Sequence, residues 1–175
     1  GQPHYAVSIA LEREGQLYSG VVYDVSRNEI FWAETGRGAW LDQRKLRGAG
    51  RKQMDQAVFA TGTPWVGKPP EAHTRFAQEI AAMTPICAGI RRNGSAALDL
   101  AWVAAGRFDG FWERDLKAWD IAAGMILVRE AGGVTTEIDG GNALLTGSVI
   151  SANADLHPKL EKQIRKAPSF ARDTD

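Results

Sequence analysis

Cysteine, histidine and net charge are all in short supply in this sequence, and each shortage removes a class of function. One cysteine, Cys87, stands in 175 residues. It has no partner for an internal disulfide, so a reducing cytoplasm is the compartment expected. His4, His73 and His157 are scattered, and no Cys/His cluster accompanies them. A zinc site is therefore not expected, and the three histidines read as surface or strand-end residues. Lys plus Arg number 21, and so do Asp plus Glu. That balance leaves no positive field to draw in nucleic acid, and direct nucleic-acid binding is not expected. No apolar run is long enough to span a bilayer, and the chain does not open on a signal-peptide pattern, so no membrane partner is expected. Also missing are an initial Met and a polar lead-in. Gly1 runs almost directly into a strand pattern, which reads either as a tag remnant or trimmed terminus or as a sequence that starts inside a larger fold.

What is present is a clear change of rhythm. Tyr5, Val7, Ile9 and Leu11 alternate with small or polar residues, the period of a half-buried strand. Further strands are expected over 17–25 and 29–33, joined by polar turns, and Gly36-Arg37-Gly38 allows a tight passage into Ala39-Trp40-Leu41, so the first third reads as an antiparallel meander. From residue 56 strands and helices alternate. Strands are expected over 56–60, 88–92, 108–113, 134–138 and 148–152. Helices are expected over 70–83, 95–105, 119–131 and 157–166. The fold class is thus α/β, layered. No repeat or low-complexity linker divides it. One domain is expected over 1–175, with the meander in 1–55, the α/β layer in 56–167 and a tail in 168–175. Trp32, Trp40, Trp102 and Phe111 are expected in the core.

Three places carry candidate chemistry. Asp120 stands at the start of the 119–131 helix, where free backbone N–H groups stabilise a carboxylate. A simple cap accounts for that, but not for the small residues Ala122, Ala123 and Gly124 behind it, which allow a backbone or a ligand to approach closely. Glu113 ends the strand seven residues earlier, and a short loop can aim both carboxylates into one mouth; pairing with Arg114 or Lys117 is the alternative. Gly94, Ser95 and Ala96 form a second strand-to-helix junction, with unpaired N–H groups suited to an oxygen-rich ligand or to an ordinary N-cap.

Trp119-Asp120-Ile121-Ala122-Ala123-Gly124, followed by Glu130-Ala131-Gly132-Gly133, closely resembles the C-terminal signature of the inositol monophosphatase family. Pro3 to Leu11, Gly20-Val21-Val22-Tyr23-Asp24, Ala33 to Ala39 and Gly94-Ser95-Ala96-Ala97 resemble further family segments, in order and at family spacing. The resemblance implies the family's layered sandwich, here without its N-terminal portion. It also implies Mg²⁺-dependent hydrolysis of a sugar or polyol phosphate, with inositol 1-phosphate the leading substrate, and a cytoplasmic homodimer. Asp120 then matches a metal-binding aspartate that also contacts substrate. Glu113 matches a glutamate that accepts a hydrogen bond from a ring hydroxyl, and Gly94, Ser95 and Ala96 match the loop against the sugar. Asp115 and Ala118 depart from the Gly and Pro of many bacterial members. The family's Glu-Glu and Asp-Pro-x-Asp-Gly-Thr segments, which supply its other metal ligands, are missing, so the 175 residues alone are expected to be inactive. Fructose bisphosphate, histidinol phosphate and nucleotide 3′-phosphates are alternative substrates within the family. A non-catalytic role as a protein partner in RNA-polymerase and ribosomal RNA assembly is the alternative of a different class.

Overall fold

In a computed structural model, which describes residues 2–167, the first third forms one five-stranded antiparallel sheet. Its strands β1 (Ala6–Arg13), β2 (Gln16–Asp24), β3 (Glu29–Glu34), β4 (Gly38–Leu41) and β5 (Arg44–Lys45) lie side by side in chain order. The turns follow from local chemistry. Glu14 and Gly15 both take positive φ, 54° and 75°, between the paired residues Arg13 and Gln16. That is a two-residue hairpin whose twist matches the flanking strands.

The second sheet is mixed. It contains β6 (Val58–Thr61), β7 (Gly89–Arg91), β8 (Gly110–Glu113), β9 (Val134–Glu137) and β10 (Val149–Ala152), in the order β7-β6-β8-β10-β9. β6 runs parallel to β7 and β8, whereas β10 is antiparallel to β8 and β9. The helices are α1 (Pro70–Met83), α2 (Ala96–Ala104), α3 (Ala118–Glu130), α4 (Ala143–Thr146) and α5 (His157–Lys166). β5, α4 and a 3₁₀ turn at Met54–Gln56 were not legible in the sequence, being too short to show a period.

Two core clusters define the layers. In the first, Val22 and Phe31 of the meander meet Leu98 and Leu100 of α2, Ile121 and Leu127 of α3, and Phe111 of β8. In the second, Phe59, Trp112 and Ile150 from the other face of the mixed sheet meet Met83 of α1 and Leu160 and Ile164 of α5. The neighbours Phe111 and Trp112 point to opposite sides, as the strand pleat requires. α3 is buried on every residue from Ile121 to Val128 because it lies between the meander and the mixed sheet. The small residues at its start serve that packing. A Cβ on Gly20 of β2 would lie 2.8 Å from the Ala123 Cα, and one on Gly124 would lie 2.4 Å from the Leu100 Cβ. The close approach they permit is therefore of backbone and core side chain.

Phe111 is fully buried, but Trp32, Trp40 and Trp102 are only half-buried. Trp32 and Trp40 are cross-strand partners that stack on each other at 5.6 Å on the meander's outer face. Trp102 sits at an edge of the core, with the guanidinium groups of Arg27 and Arg107 over its ring. His157 also departs from expectation. It is buried at the start of α5, where its Nε2 lies 3.0 Å from the Thr136 hydroxyl, and burial lowers its pKa. His4 is half-buried with its ring edge against Trp102, and its pKa is lowered by the same cause; His73 is exposed. The proposed tail at 168–175 lies outside the described residues.

The outer face of the meander is apolar and open. Tyr5, just before β1, and Val7, Ile9 and Leu11 of β1 are 57, 49, 63 and 52 % exposed, and Val21 and Ile30 continue the patch across β2 and β3. Apolar surface of this continuity drives association. The 175-residue chain is therefore expected to self-associate in sedimentation velocity at micromolar concentration. Ile9→Lys with Val21→Lys should return it to a monomer without lowering Tm. A wild-type chain that sediments as a monomer and binds no hydrophobic dye would overturn this.

Candidate active-site cleft

Two strand-to-helix junctions face each other across a cleft of about 510 Å³. The first runs from β8 to α3. Glu113 is the last residue of β8 and Asp120 lies in the first turn of α3. Their connection reverses quickly because Asp115 takes a left-handed φ of 61°, a conformation aspartate tolerates better than most residues. Its carboxylate is held by Lys68 at 3.0 Å. Asp120 Oδ2 accepts the Lys117 backbone N–H at 2.9 Å, which fixes the carboxylate at the helix start. Ser8 ties the same corner to the meander by donating to the Trp119 carbonyl at 3.0 Å.

The second junction runs from β7 to α2. Gly94 turns the chain with φ of 93°, and Ser95 caps α2 by accepting the Leu98 N–H at 3.5 Å. Gly94, Ser95 and Ala96 line the cleft together with Glu113 and Asp120. All five residues singled out in the sequence thus border one space. Arg114 does not pair with Glu113. It turns away to Glu79, at 2.7 Å, and to Asp139.

Glu113 is held unusually tightly. Its carboxyl rests on Gly62, where a Cβ would come within 1.9 Å of Oε1. Burial, and then repulsion from Asp99, push its pKa up to about 8 against the opposing pull of Arg92. Asp120 adds a smaller repulsion.

Asp99 was missed by the sequence reading. It is 1 % exposed on α2, its carboxyl oxygen Oδ1 accepts the Asn93 side-chain N–H at 3.3 Å, and its Oδ2 has no hydrogen-bond partner among the described residues. Burial pushes its pKa up to about 7. The available signal was Leu98-Asp99-Leu100, an acid inside an apolar helical run.

Hard carboxylate oxygens in the cleft suit a hard divalent cation, and Asp120 is placed to offer one of them. Among the described residues there is no group of three or more His, Cys, Asp or Glu side chains that could hold a metal ion. No helix among them is long and apolar enough to cross a membrane.

Fold and cleft together define a layered two-sheet α/β protein with an acid-lined pocket between a strand end and two helix starts. Residues 1–169 match the model of the inositol monophosphatase family, and the chain belongs to that family. It is 47 % identical over 169 residues to an inositol-1-monophosphatase of Caulobacter vibrioides, covering 94 % of this chain and 65 % of the relative. It is 47 % identical over 152 residues to the Nus factor SuhB of Escherichia coli K12, covering 86 % of this chain and 56 % of the relative. The crystal structure of extragenic suppressor protein suhB from Bartonella henselae superposes with a TM-score of 0.89 at 43 % identity, over 94 % of this chain and 62 % of that one. The chain therefore spans somewhat under two thirds of the length of these relatives.

Proposed function

We propose that these residues form the substrate-binding part of a Mg²⁺-dependent phosphatase acting on a phosphorylated polyol, with inositol 1-phosphate its leading substrate. The observation that carries the reading is the convergence of Glu113, Asp120 and the Gly94–Ala96 turn on one cleft in a chain of this family. Glu113 would accept a ring hydroxyl. The N–H groups at the start of α2 would face the ring oxygens, and Asp120 would be a ligand of the metal ion. Such an ion supplies charge neutralisation at the phosphoryl group and an activated water. The chain's own residues would position the ring, with Leu116 and Trp119 as the apolar part of the cleft lining. The chain is read as one unit, because the meander and the α/β layer share a core cluster, and as part of a cytoplasmic homodimer.

The test is phosphate release from inositol 1-phosphate by a protein of the relatives' full length that carries these residues. Activity should require Mg²⁺. Asp120→Asn should lower kcat/KM by at least ~100-fold, since even outer-sphere partners of a metal cost 10–100-fold. Full activity in that variant would remove Asp120 from the metal site. The identity to a Nus factor favours one second reading, a regulatory role independent of catalysis. Asp120→Asn separates the two, because a regulatory role survives it.

A further inference from the structure

Asp99 lies behind the cleft wall, where neither substrate nor solvent reaches it, yet it carries an unpartnered carboxyl oxygen. A buried acceptor left without a donor loses the hydrogen bond it had to water, so a donor is called for. The groups placed to answer it are few. Asn93 already donates to Oδ1. Arg92 attracts both acids from the β7–α2 loop, but its side chain is exposed, donates to the Thr63 hydroxyl at 3.0 Å and makes no hydrogen bond to the free Asp99 oxygen. Asp120 faces Glu113 from α3, where its carboxylate accepts the Lys117 N–H, and His4 lines the cleft from the β1 side. The remaining group is Glu113, whose charge is close enough to be repelled by that of Asp99 and whose retreat is blocked by Gly62.

We propose that Asp99 is a positioning residue for the polyol pocket: its free oxygen takes the carboxyl proton of Glu113, directly or through one water, so that the two side chains share a single proton and the other Glu113 oxygen is held toward the ligand. Two carboxyls in one buried site cannot both ionise without strong repulsion, and one shared proton removes it. The geometry leaves Glu113 an acceptor toward the cleft and a donor toward the core. It also explains an acid in the apolar run of α2, since Asp99 holds Asn93 beside the Gly94 turn with its other oxygen. Both sides of the pocket are then set from one buried residue.

The inference rests on the polyol reading of the cleft, and the test keeps the two separate. Binding of myo-inositol to the 175-residue chain is followed by amide NMR from pH 6 to 9, in wild type, Asp99→Asn and Asp99→Leu. Wild-type affinity should fall by about fivefold above pH 8, as the pair loses its proton and with it one orienting hydrogen bond. Asn keeps the shape and the acceptor for Asn93, and its own N–H can hold an ionised Glu113. Asp99→Asn should therefore bind with little dependence on pH. Asp99→Leu should bind weakly throughout while retaining a folded spectrum. A packing role alone would change affinity without flattening the pH profile. A wild-type pH profile in Asp99→Asn overturns the proposal, as does wild-type binding by Asp99→Leu. If no variant binds myo-inositol, the polyol reading fails, and ¹³C-carboxyl titration of Glu113 then decides the pairing. A midpoint that drops in Asp99→Asn supports it, and an unmoved midpoint overturns it.

Discussion

Phosphate release from inositol 1-phosphate by the 175-residue chain is expected at the level of buffer alone, with Mg²⁺ or without it. The reason is the number of ligands. A Mg²⁺ ion takes about six oxygens in near-octahedral geometry, several of them water. Two-metal hydrolysis needs ions roughly 3.5–4 Å apart, clamped between carboxylates. Asp120 offers two oxygens, and one of them already accepts the Lys117 N–H. Glu113 is pressed against Gly62, with its pKa raised to about 8, so at neutral pH it is a poor anionic bridge. Asp99 is too deeply buried to reach an ion in the cleft. Fully functional metal centres contribute many orders of magnitude to hydrolysis, so a single weak ligand should leave a rate indistinguishable from background. The measurement is phosphate release at millimolar Mg²⁺ by the wild-type chain and by Asp120→Asn. Turnover by the wild type that vanishes in the variant would show that the ligands lie among these residues after all.

Much of this arrangement could be read in the sequence because it depends on local signals. The alternation in β1 and the glycine-marked turns gave the meander. The seven-residue step from Glu113 to Asp120 gave the strand end facing a helix start. What could not be read depends on contacts distant in sequence. Trp32 and Trp40 are as hydrophobic as core residues, but register places them together on the sheet's outer face. His157 looks like a surface residue until Thr136, 21 positions earlier, is brought to its ring. Ala123 and Gly124 suggested a close approach without saying by what; the answer was β2 and Leu100. Asp99 and Gly62 acquire meaning only through Glu113, which touches Gly62 across 51 positions and whose pKa is raised in part by the charge of Asp99. A pocket assembled from three separate strand ends leaves no periodic trace in any one of them.

Gly62→Ala is expected to damage the cleft more than its single methyl suggests. The new Cβ would lie 1.9 Å from Oε1, 2.1 Å from Cδ and 2.3 Å from Oε2 of Glu113, so the whole carboxyl has to leave. Its exits are poor. Inward the space is taken by the core around the fully buried Asp99, which already holds Asn93, and a move into the cleft gives up the position from which the carboxyl meets a ligand. Forced overpacking of this kind costs about 1–3 kcal/mol, read as a fall in Tm or in the denaturant midpoint. Polyol affinity should fall further, by ~10–100-fold, the value of a hydrogen bond to a charged or strongly polarised group. Glu113→Asp provides the control. Its side chain is one methylene shorter and draws the carboxyl back from the position the new Cβ would take. Gly62→Ala combined with Glu113→Asp should therefore recover most of the lost stability but not the affinity, a non-additivity that a double-mutant cycle reads directly. Wild-type Tm and wild-type myo-inositol affinity in Gly62→Ala would mean that Glu113 swings freely, and that the glycine has no part in holding it.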